Sequence, residues 1–223
     1  MKIFYQFIAI LCVGILFLAS CSSDDQDTSA EYYNWEERNK TFFSDIYDKA
    51  QSEIQGKETD EWVIIPCYPK NNMDNKNNFI VVRILDRKEP HQEKDEKTGS
   101  CNRTYAPTPF DTDLCKIAYR GNLIPSKSFD YVVEPDYVHV GKRFDTSWTG
   151  NIFNLETAVF KDMTPTGTVD GFSTALQYMH PGDRWRVYMP CNLGYGAAEK
   201  TGIPAYSVLI FDIYMKEFTT NTK

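Results

Sequence analysis

Short β-rich segments separated by Gly, Pro and Asn fill much of the chain, and this pattern restricts the fold to one that is built on a β-sheet. The segments 62–65 and 79–85 flank an Asn-rich turn and predict a hairpin. Further strands are predicted at 115–119, 131–133, 137–140, 185–189 and 208–214. One short helix is predicted at 171–180, because its apolar residues share one face and His180-Pro181-Gly182 ends it. The sequence therefore predicts a sheet with one covering helix.

A longer amphipathic helix is predicted before the sheet, from residue 31 to about residue 55. Its apolar residues recur at every third or fourth position, so that the helix has one face to bury. These residues are Trp35, Phe42, Phe43, Ile46, Tyr47, Ala50 and Ile54. The face requires a partner surface. A run of charged residues at 86–99 carries both signs and predicts a solvated loop, to which we assign no function.

The N-terminus has the features of an export signal. Lys2 precedes an apolar run at 3–18, and the run ends at Leu18-Ala19-Ser20-Cys21. As a helix the run would measure about 24 Å, shorter than the roughly 30 Å hydrocarbon core, which disfavours the alternative of a permanent transmembrane helix. The Leu-Ala-Ser-Cys sequence resembles the lipobox of bacterial lipoproteins. That resemblance implies cleavage after residue 20 and a lipid anchor on Cys21 that holds the protein at a membrane.

The segment at 21–30 is too polar to bury anything and is interpreted as a tether. Its Ser22-Ser23-Asp24-Asp25 is either part of a solvated linker or, by resemblance, the acidic sorting signal of surface-exposed lipoproteins in Bacteroidetes. Both interpretations predict a lipid-anchored protein of the cell envelope, on the periplasmic or the surface-exposed face of the outer membrane.

Four cysteines remain once Cys12, in the signal, and Cys21 are set aside. An exported compartment permits disulfides. Cys101 and Cys115 flank a loop rich in Pro, Thr and Asp, which makes them the first pair to test for a bridge. Free buried cysteines are equally compatible with the sequence, because a free Cys packs as a small hydrophobe.

Charge and histidine content argue against two kinds of ligand. The chain has 223 residues, a formal net charge of −7 and an isoelectric point near 5.0, which gives no electrostatic footprint for nucleic acid. The histidines His91, His139 and His180 show no metal-ligand spacing. We therefore predict no nucleic-acid partner, no metal and no cofactor.

A series of motifs follows one another in a specific order in the second half of the chain. They are Tyr119-Arg120-Gly121, Gly141-Lys142-Arg143-Phe144-Asp145-Thr146-Ser147, Gly171-Phe172-Ser173-Thr174-Ala175-Leu176, Met179-His180-Pro181-Gly182-Asp183, Met189-Pro190, Tyr195-Gly196, Ile203-Pro204 and Leu209-Ile210-Phe211-Asp212. In order and spacing the series resembles the FKBP-type peptidyl-prolyl isomerases over roughly 115–218. The resemblance implies an α+β fold in which an FKBP-like antiparallel β-sheet wraps around a short helix. That domain would occupy 61–218, with an N-terminal helical extension at 31–60.

The resemblance also implies a shallow apolar pocket that grips a proline ring. Its catalytic residues would be Asp145, Tyr195 and Phe211, and its substrate-binding residues Tyr119, Phe144, Val169, Phe172 and Ile203. Rotation about an Xaa-Pro bond crosses a barrier of about 18–20 kcal/mol without making or breaking a bond, so that neither a nucleophile nor a metal is needed. Aromatic walls would favour the twisted imide, Tyr195 would donate to its carbonyl oxygen, and Asp145 would orient the aromatic hydroxyls.

These features predict an isomerase that assists the folding of exported proteins, with proline-containing polypeptides as clients. One alternative is a non-catalytic binding module or chaperone that uses the same pocket. Another is a structural lipoprotein whose pocket is filled by its own Tyr131 or Tyr137. Phe172 replaces the Trp usual in active members, extra aromatic sequence lies at 123–139, and the loop at 196–202 is shorter than in the family. The sequence does not indicate an oligomeric state.

Overall fold

The computed structural model describes residues 31–56, 61–67, 78–87, 91–94, 101–104, 107–135, 137–150 and 152–220. The predicted signal at 1–20 and the tether at 21–30, which includes Cys21, lie outside these residues. The chain from residue 34 onward forms one compact unit, to which every element below belongs.

From residue 34 onward the described residues form two α-helices and eleven strands. The helices are α1 (Trp35–Gly56) and α2 (Asp170–Tyr178). The strands are β1 (Trp62–Pro66), β2 (Phe79–Asp86), β3 (His91–Lys94), β4 (Cys101–Thr104), β5 (Leu114–Asn122), β6 (Tyr131–Val133), β7 (Val138–Val140), β8 (Arg143–Thr146), β9 (Lys161–Met163), β10 (Arg184–Met189) and β11 (Leu209–Thr219). Neither helix is long and apolar enough to cross a membrane.

The main sheet has seven strands in the order β1-β2-β10-β11-β5-β8, and β9 also pairs with β5. Every pairing is antiparallel. β5 and β11 are the long central strands, paired from Ile210 opposite Asn122 to Thr219 opposite Leu114. β3 with β4, and β6 with β7, form two separate hairpins. The predicted α+β fold with an antiparallel sheet is confirmed.

α2 packs on one face of this sheet, which we call the inner face. Side chains alternate along a strand, so that Val187 and Met189 of β10 point to the inner face and Tyr188 to the opposite, outer face. The helix approaches closely because Gly171 has no side chain. A Cβ at Gly171 would lie 2.9 Å from the Cβ of Met189 and 3.3 Å from Cγ2 of Ile80.

α1 packs on the outer face and supplies the partner that its apolar side requires. The Tyr188 ring lies between Phe42 of α1 and Trp62 of β1, with centroid distances of 6.3 Å to each. The predicted apolar face is correct for Trp35, Phe43 and Ala50, which are buried. It is wrong for Ile54, which is 40% exposed near the end of the helix. Asn39, absent from the apolar pattern, is buried because both ends of its amide are hydrogen-bonded.

Three sequence expectations require correction. The run at 86–99 is not wholly a loop, since β3 lies within it and pairs with β4. β8 and β9 are strands that were not predicted, because most of their side chains are exposed and show no apolar alternation. The bridge considered for Cys101 and Cys115 is not formed. Cys115 carries a free, fully buried thiol in β5 between β9 and β11, whereas β4, which begins at Cys101, pairs with β3.

Candidate active site

Four aromatic rings from four different elements meet on the inner face around Phe211 of β11. The Phe211 centroid lies 5.0 Å from that of Phe172 and 5.4 Å from that of Phe144, both at nearly perpendicular angles, and 6.2 Å from that of Tyr119. Tyr119 also meets Phe172 edge-on at 5.9 Å. Edge-to-face contacts of this kind are favourable beyond the burial of apolar area. The rings therefore form one packed cluster instead of four separate core residues.

Strand register brings the cluster together. Phe211 lies opposite Gly121 in the pairing of β11 with β5, and Gly121 lies opposite Asp145 in the pairing of β5 with β8. Phe172 of α2 contacts Phe211 from the helix that packs on the inner face. The Phe144 and Phe211 rings pack directly on the Gly121 backbone, since a Cβ there would lie 2.5 Å from Phe144 and 2.8 Å from Phe211. Gly121 is thus a site residue to which the sequence analysis gave no role, although its Tyr-Arg-Gly motif contained the signal.

The Asp145 carboxylate accepts two hydrogen bonds at the edge of the cluster. The Tyr119 hydroxyl donates to Oδ2 over 2.7 Å, and the Thr146 backbone N–H donates to Oδ1 over 2.8 Å. Burial of the Tyr119 hydroxyl, followed by its hydrogen bond to Asp145 and the charge of that carboxylate, raises the pKa of Tyr119 well above its usual value. Tyr119 therefore remains a hydrogen-bond donor across the physiological range.

The remaining predicted residues lie just before α2 and in the connection between β10 and β11. Val169 precedes α2 and is half-buried, three positions before Phe172. Tyr195 and Ile203 lie in the connection between β10 and β11, which we call the 190–208 loop. Ile203 is buried, whereas Tyr195 is 37% exposed and close enough to affect the pKa of Tyr119. The Lys200 ammonium lies 5.6 Å from the centre of the Tyr195 ring.

The cluster has a closed floor and an open rim. Phe172 and Phe211 are almost fully buried, Phe144 is half-buried, and Asp145 is exposed. An apolar group that enters here meets ring edges below and a carboxylate and a phenol at the rim. No group of three or more His, Cys, Asp or Glu side chains among the described residues is arranged to hold a metal ion.

Two carbonyl groups in the described part of the extra segment at 123–139 are hydrogen-bonded on the outer face. The carbonyl of Pro125 accepts from Arg38 of α1, and that of Glu134 accepts from Arg186 of β10. Tyr131 and Tyr137, the two side chains named above as alternatives for filling the pocket, are 46% and 68% exposed. Neither tyrosine ring is therefore buried inside the aromatic cluster.

Comparison with known proteins identifies relatives of this chain. Residues 106–216 match the family model described as FKBP-type peptidyl-prolyl cis-trans isomerase. The macrophage infectivity potentiator of Trypanosoma cruzi is 40% identical over 67 residues, 29% of this chain and 34% of that protein. The FKBP-type peptidyl-prolyl cis-trans isomerase FkpA of Escherichia coli K12 is 28% identical over 132 residues, 55% of this chain and 40% of that protein. The match thus spans less than half the length of either relative.

A solved peptidyl-prolyl cis-trans isomerase from Pseudomonas syringae aligns with a TM-score of 0.44 and 18% identity, covering 79% of this chain and 96% of that one.

Proposed function

We propose, because residues 106–216 belong to the FKBP-type peptidyl-prolyl cis-trans isomerase family, an enzymatic function for this chain. In this proposal the chain catalyses rotation about Xaa-Pro bonds in polypeptide clients. The observation that carries this proposal is the aromatic cluster around Phe211, with the Asp145 carboxylate hydrogen-bonded to Tyr119 at its rim. Asp145 lies on β8 and Phe211 on β11, where the neighbouring Phe144 ring contacts Phe211, and Tyr195 lies in the 190–208 loop.

The chemistry follows from what the barrier contains. Most of the 18–20 kcal/mol is amide resonance, which is lost when the Xaa-Pro bond twists. A twisted imide is less polar along its C–N bond than the planar form, so that a dry aromatic site favours it. An oriented donor then stabilises the carbonyl oxygen that has left conjugation. Phe144, Phe172 and Phe211 provide the apolar walls, and the exposed Tyr195 hydroxyl provides the donor.

Asp145 acts on the site through Tyr119. Its two accepted hydrogen bonds fix the carboxylate between the β8 backbone and the Tyr119 hydroxyl, so that the phenol is held in one orientation beside Phe172 and Phe211. The proposed role is orientation and local polarisation, since no proton is transferred in the reaction. Loss of Asp145 should therefore lower turnover more than it lowers peptide affinity.

The test is cis-trans exchange of short Xaa-Pro peptides, followed by NMR exchange spectroscopy with catalytic amounts of the full-length chain. The variants are Phe211→Ala and Asp145→Ala. Matched controls are Phe160→Ala, a half-buried ring that contacts Tyr214 of β11, and Asp162→Ala, an exposed carboxylate on β9. We expect the parent and both controls to accelerate exchange and both site variants to lose most of that acceleration.

Two outcomes oppose the proposal. A parent protein that leaves exchange at its uncatalysed rate across several Xaa residues, yet shows peptide-induced shifts of the Phe211 ring signals, would be a non-catalytic binding module. If Asp145→Ala and Asp162→Ala lose the same fraction of the acceleration of cis-trans exchange, the Asp145 carboxylate at the rim has no specific role.

We also propose that the protein is a lipoprotein of the cell envelope that assists the folding of exported proteins. The support is the Leu18-Ala19-Ser20-Cys21 sequence after an apolar run, followed by a polar tether. Mass spectrometry of the N-terminal peptide from cell envelopes should show a diacylglyceryl group on Cys21. Cys21→Ser should remove that mass and release the protein from the membrane fraction, and an unmodified, uncleaved N-terminus in the parent would contradict the proposal.

A further inference from the structure

Two buried hydrogen bonds join α1 to the end of the 190–208 loop. The Trp35 indole N–H donates to Ser207 Oγ over 2.9 Å, and the Val208 backbone N–H donates to Asn39 Oδ1 over 2.7 Å. Asn39 is itself fixed, since its Nδ2 donates to the Trp35 carbonyl over 2.7 Å. All four residues are buried, so that water cannot replace a lost partner.

The same short segment holds the two pocket residues of the loop. The Ser207 hydroxyl donates to the carbonyl of Pro204 over 2.6 Å, directly after Ile203. The Tyr206 N–H donates to the carbonyl of Gly196 over 2.8 Å, directly after Tyr195. One hydrogen bond therefore connects the segment held by α1 to the residue that follows each pocket side chain.

Near the site the loop is otherwise held only by its own backbone, since the Ala198 N–H donates to the Tyr195 carbonyl over 3.0 Å and Lys200 and Ile203 exchange two backbone hydrogen bonds. Residues 197–202 are exposed, and the only buried side chain between Tyr195 and Ser207 is Ile203. Tyr206 has a φ of 60°, in the left-handed region that a non-glycine residue occupies only when its surroundings impose it. The bonds made by Trp35 and Asn39 to the two residues after Tyr206 provide that constraint.

We infer that Trp35 and Asn39 are positioning residues for the isomerase site. They hold the end of the 190–208 loop so that Tyr195 and Ile203 face the aromatic cluster. This inference rests on the proposed function and adds a role to the helix that lies outside the matched family segment. α1 thus acts on the site from the opposite face of the sheet, through the loop, without contact with the client.

Four variants of the full-length chain separate positioning from simple stability. Trp35→Phe removes the indole N–H and retains an aromatic ring, and Asn39→Leu removes the acceptor for Val208. Asn39→Asp restores a carboxyl oxygen at that place. Phe43→Leu is the matched control, because Phe43 is buried on the same helix, its ring contacts Phe79 of the sheet, and a phenyl ring makes no hydrogen bond to the loop.

We expect kcat/KM for an Xaa-Pro peptide to fall about tenfold in Trp35→Phe and in Asn39→Leu, since displacement of site groups by about 1 Å costs up to about a hundredfold. Asn39→Asp should recover part of that loss, and Phe43→Leu should remain within about twofold of the parent. The Ile203 methyl and Tyr195 ring NMR signals should shift in the first two variants and stay in place in Phe43→Leu.

The inference is overturned when Trp35→Phe and Asn39→Leu match Phe43→Leu in both kcat/KM and NMR shifts while the parent remains active. A parent with no activity refutes the proposed function instead. In that case the Ile203 and Tyr195 signals alone decide: shifts confined to Trp35→Phe and Asn39→Leu support positioning by α1, and unchanged signals refute it.

Discussion

Gly121→Ala tests whether the aromatic cluster is the working site, because it adds one methyl group between two of its rings. The new Cβ would lie 2.5 Å from two ring carbons of Phe144 and 2.8 Å from Phe211. Ordinary contact begins at 3.4 Å, so that Phe144 must retreat by about 1 Å and Phe211 by somewhat less. Gly121 lies outside the left-handed region of backbone conformation, and the side-chain collision is therefore the whole perturbation.

The magnitude differs between stability and activity. Overpacking of this size costs about 1–3 kcal/mol, and Phe144 is half-buried and can swing outward, which favours the lower end. A pocket wall displaced by about 1 Å can lower the rate by about a hundredfold. We therefore expect kcat/KM for an Xaa-Pro peptide to fall between tenfold and a hundredfold, with a loss of unfolding free energy near 1 kcal/mol.

The assay combines urea denaturation with NMR exchange on the parent, Gly121→Ala and two further variants. Gly167→Ala is the control, since its Cβ would meet only Thr164 Oγ1, at 3.2 Å, in an exposed turn. Phe144→Leu in combination with Gly121→Ala should recover stability by making room, without recovery of activity. If Gly121→Ala keeps full activity while its Phe144 ring signals shift, the position of that ring does not matter for catalysis and the reasoning fails.

Three further perturbations act elsewhere. Burial raises the pKa of the Cys115 thiol from 9.0 to about 11, so that the stability contributed by the protonated thiol is complete below pH 9 and is lost as the pH rises toward 11. This alkaline loss of stability should disappear in Cys115→Ala. Equal loss of stability at high pH in the parent and in the variant would contradict the prediction. Asp212→Ala should cost about 3–5 kcal/mol in urea denaturation, because it removes the carboxylate that accepts from the buried Arg186 guanidinium over 2.6 Å, and a loss below about 1 kcal/mol would refute the importance of the pair. Since the pKa of Tyr119 is raised, its phenol should stay protonated at pH 9.5, and the ratio of kcat/KM at pH 9.5 to kcat/KM at pH 7.5 should be the same in the parent and in Tyr119→Phe. A lower ratio in the parent alone would show that the phenol ionises in this range.

Strands with regular apolar patterns were predictable, and strands without them were not. β6 was predicted with its observed bounds, while β5 and β11 extend several residues beyond the prediction. The extension of β11 carries Glu217 and Thr219, which are exposed and pair with Lys116 and Leu114 of β5. A polar residue there pairs through its backbone as well as Val would, and sequence pattern does not detect that pairing.

Site residues were predictable from motif order and not from residue type. Phe144 on the short strand β8 shows no periodic signal, and only its Phe-Asp motif assigned it to the pocket. The contributions of Trp35 and Asn39 depend on hydrogen bonds to Ser207 and Val208, about 170 positions later in the chain. Contacts at that separation are set by tertiary packing, so that no local pattern indicates them.

The Tyr119-Arg120-Gly121 motif divides its side chains between the two faces of the sheet. Tyr119 and Gly121 point to the inner face, where they meet the aromatic cluster, and Arg120 between them points to the outer face. There its guanidinium lies 4.7 Å from the centre of the Trp148 ring, and burial lowers the pKa of Arg120 to about 10. The same alternation in β11 puts Phe211 on the inner face and Asp212 on the outer face. Arg120 therefore determines what covers the outer face and takes no part in the geometry of the proposed active site on the inner face.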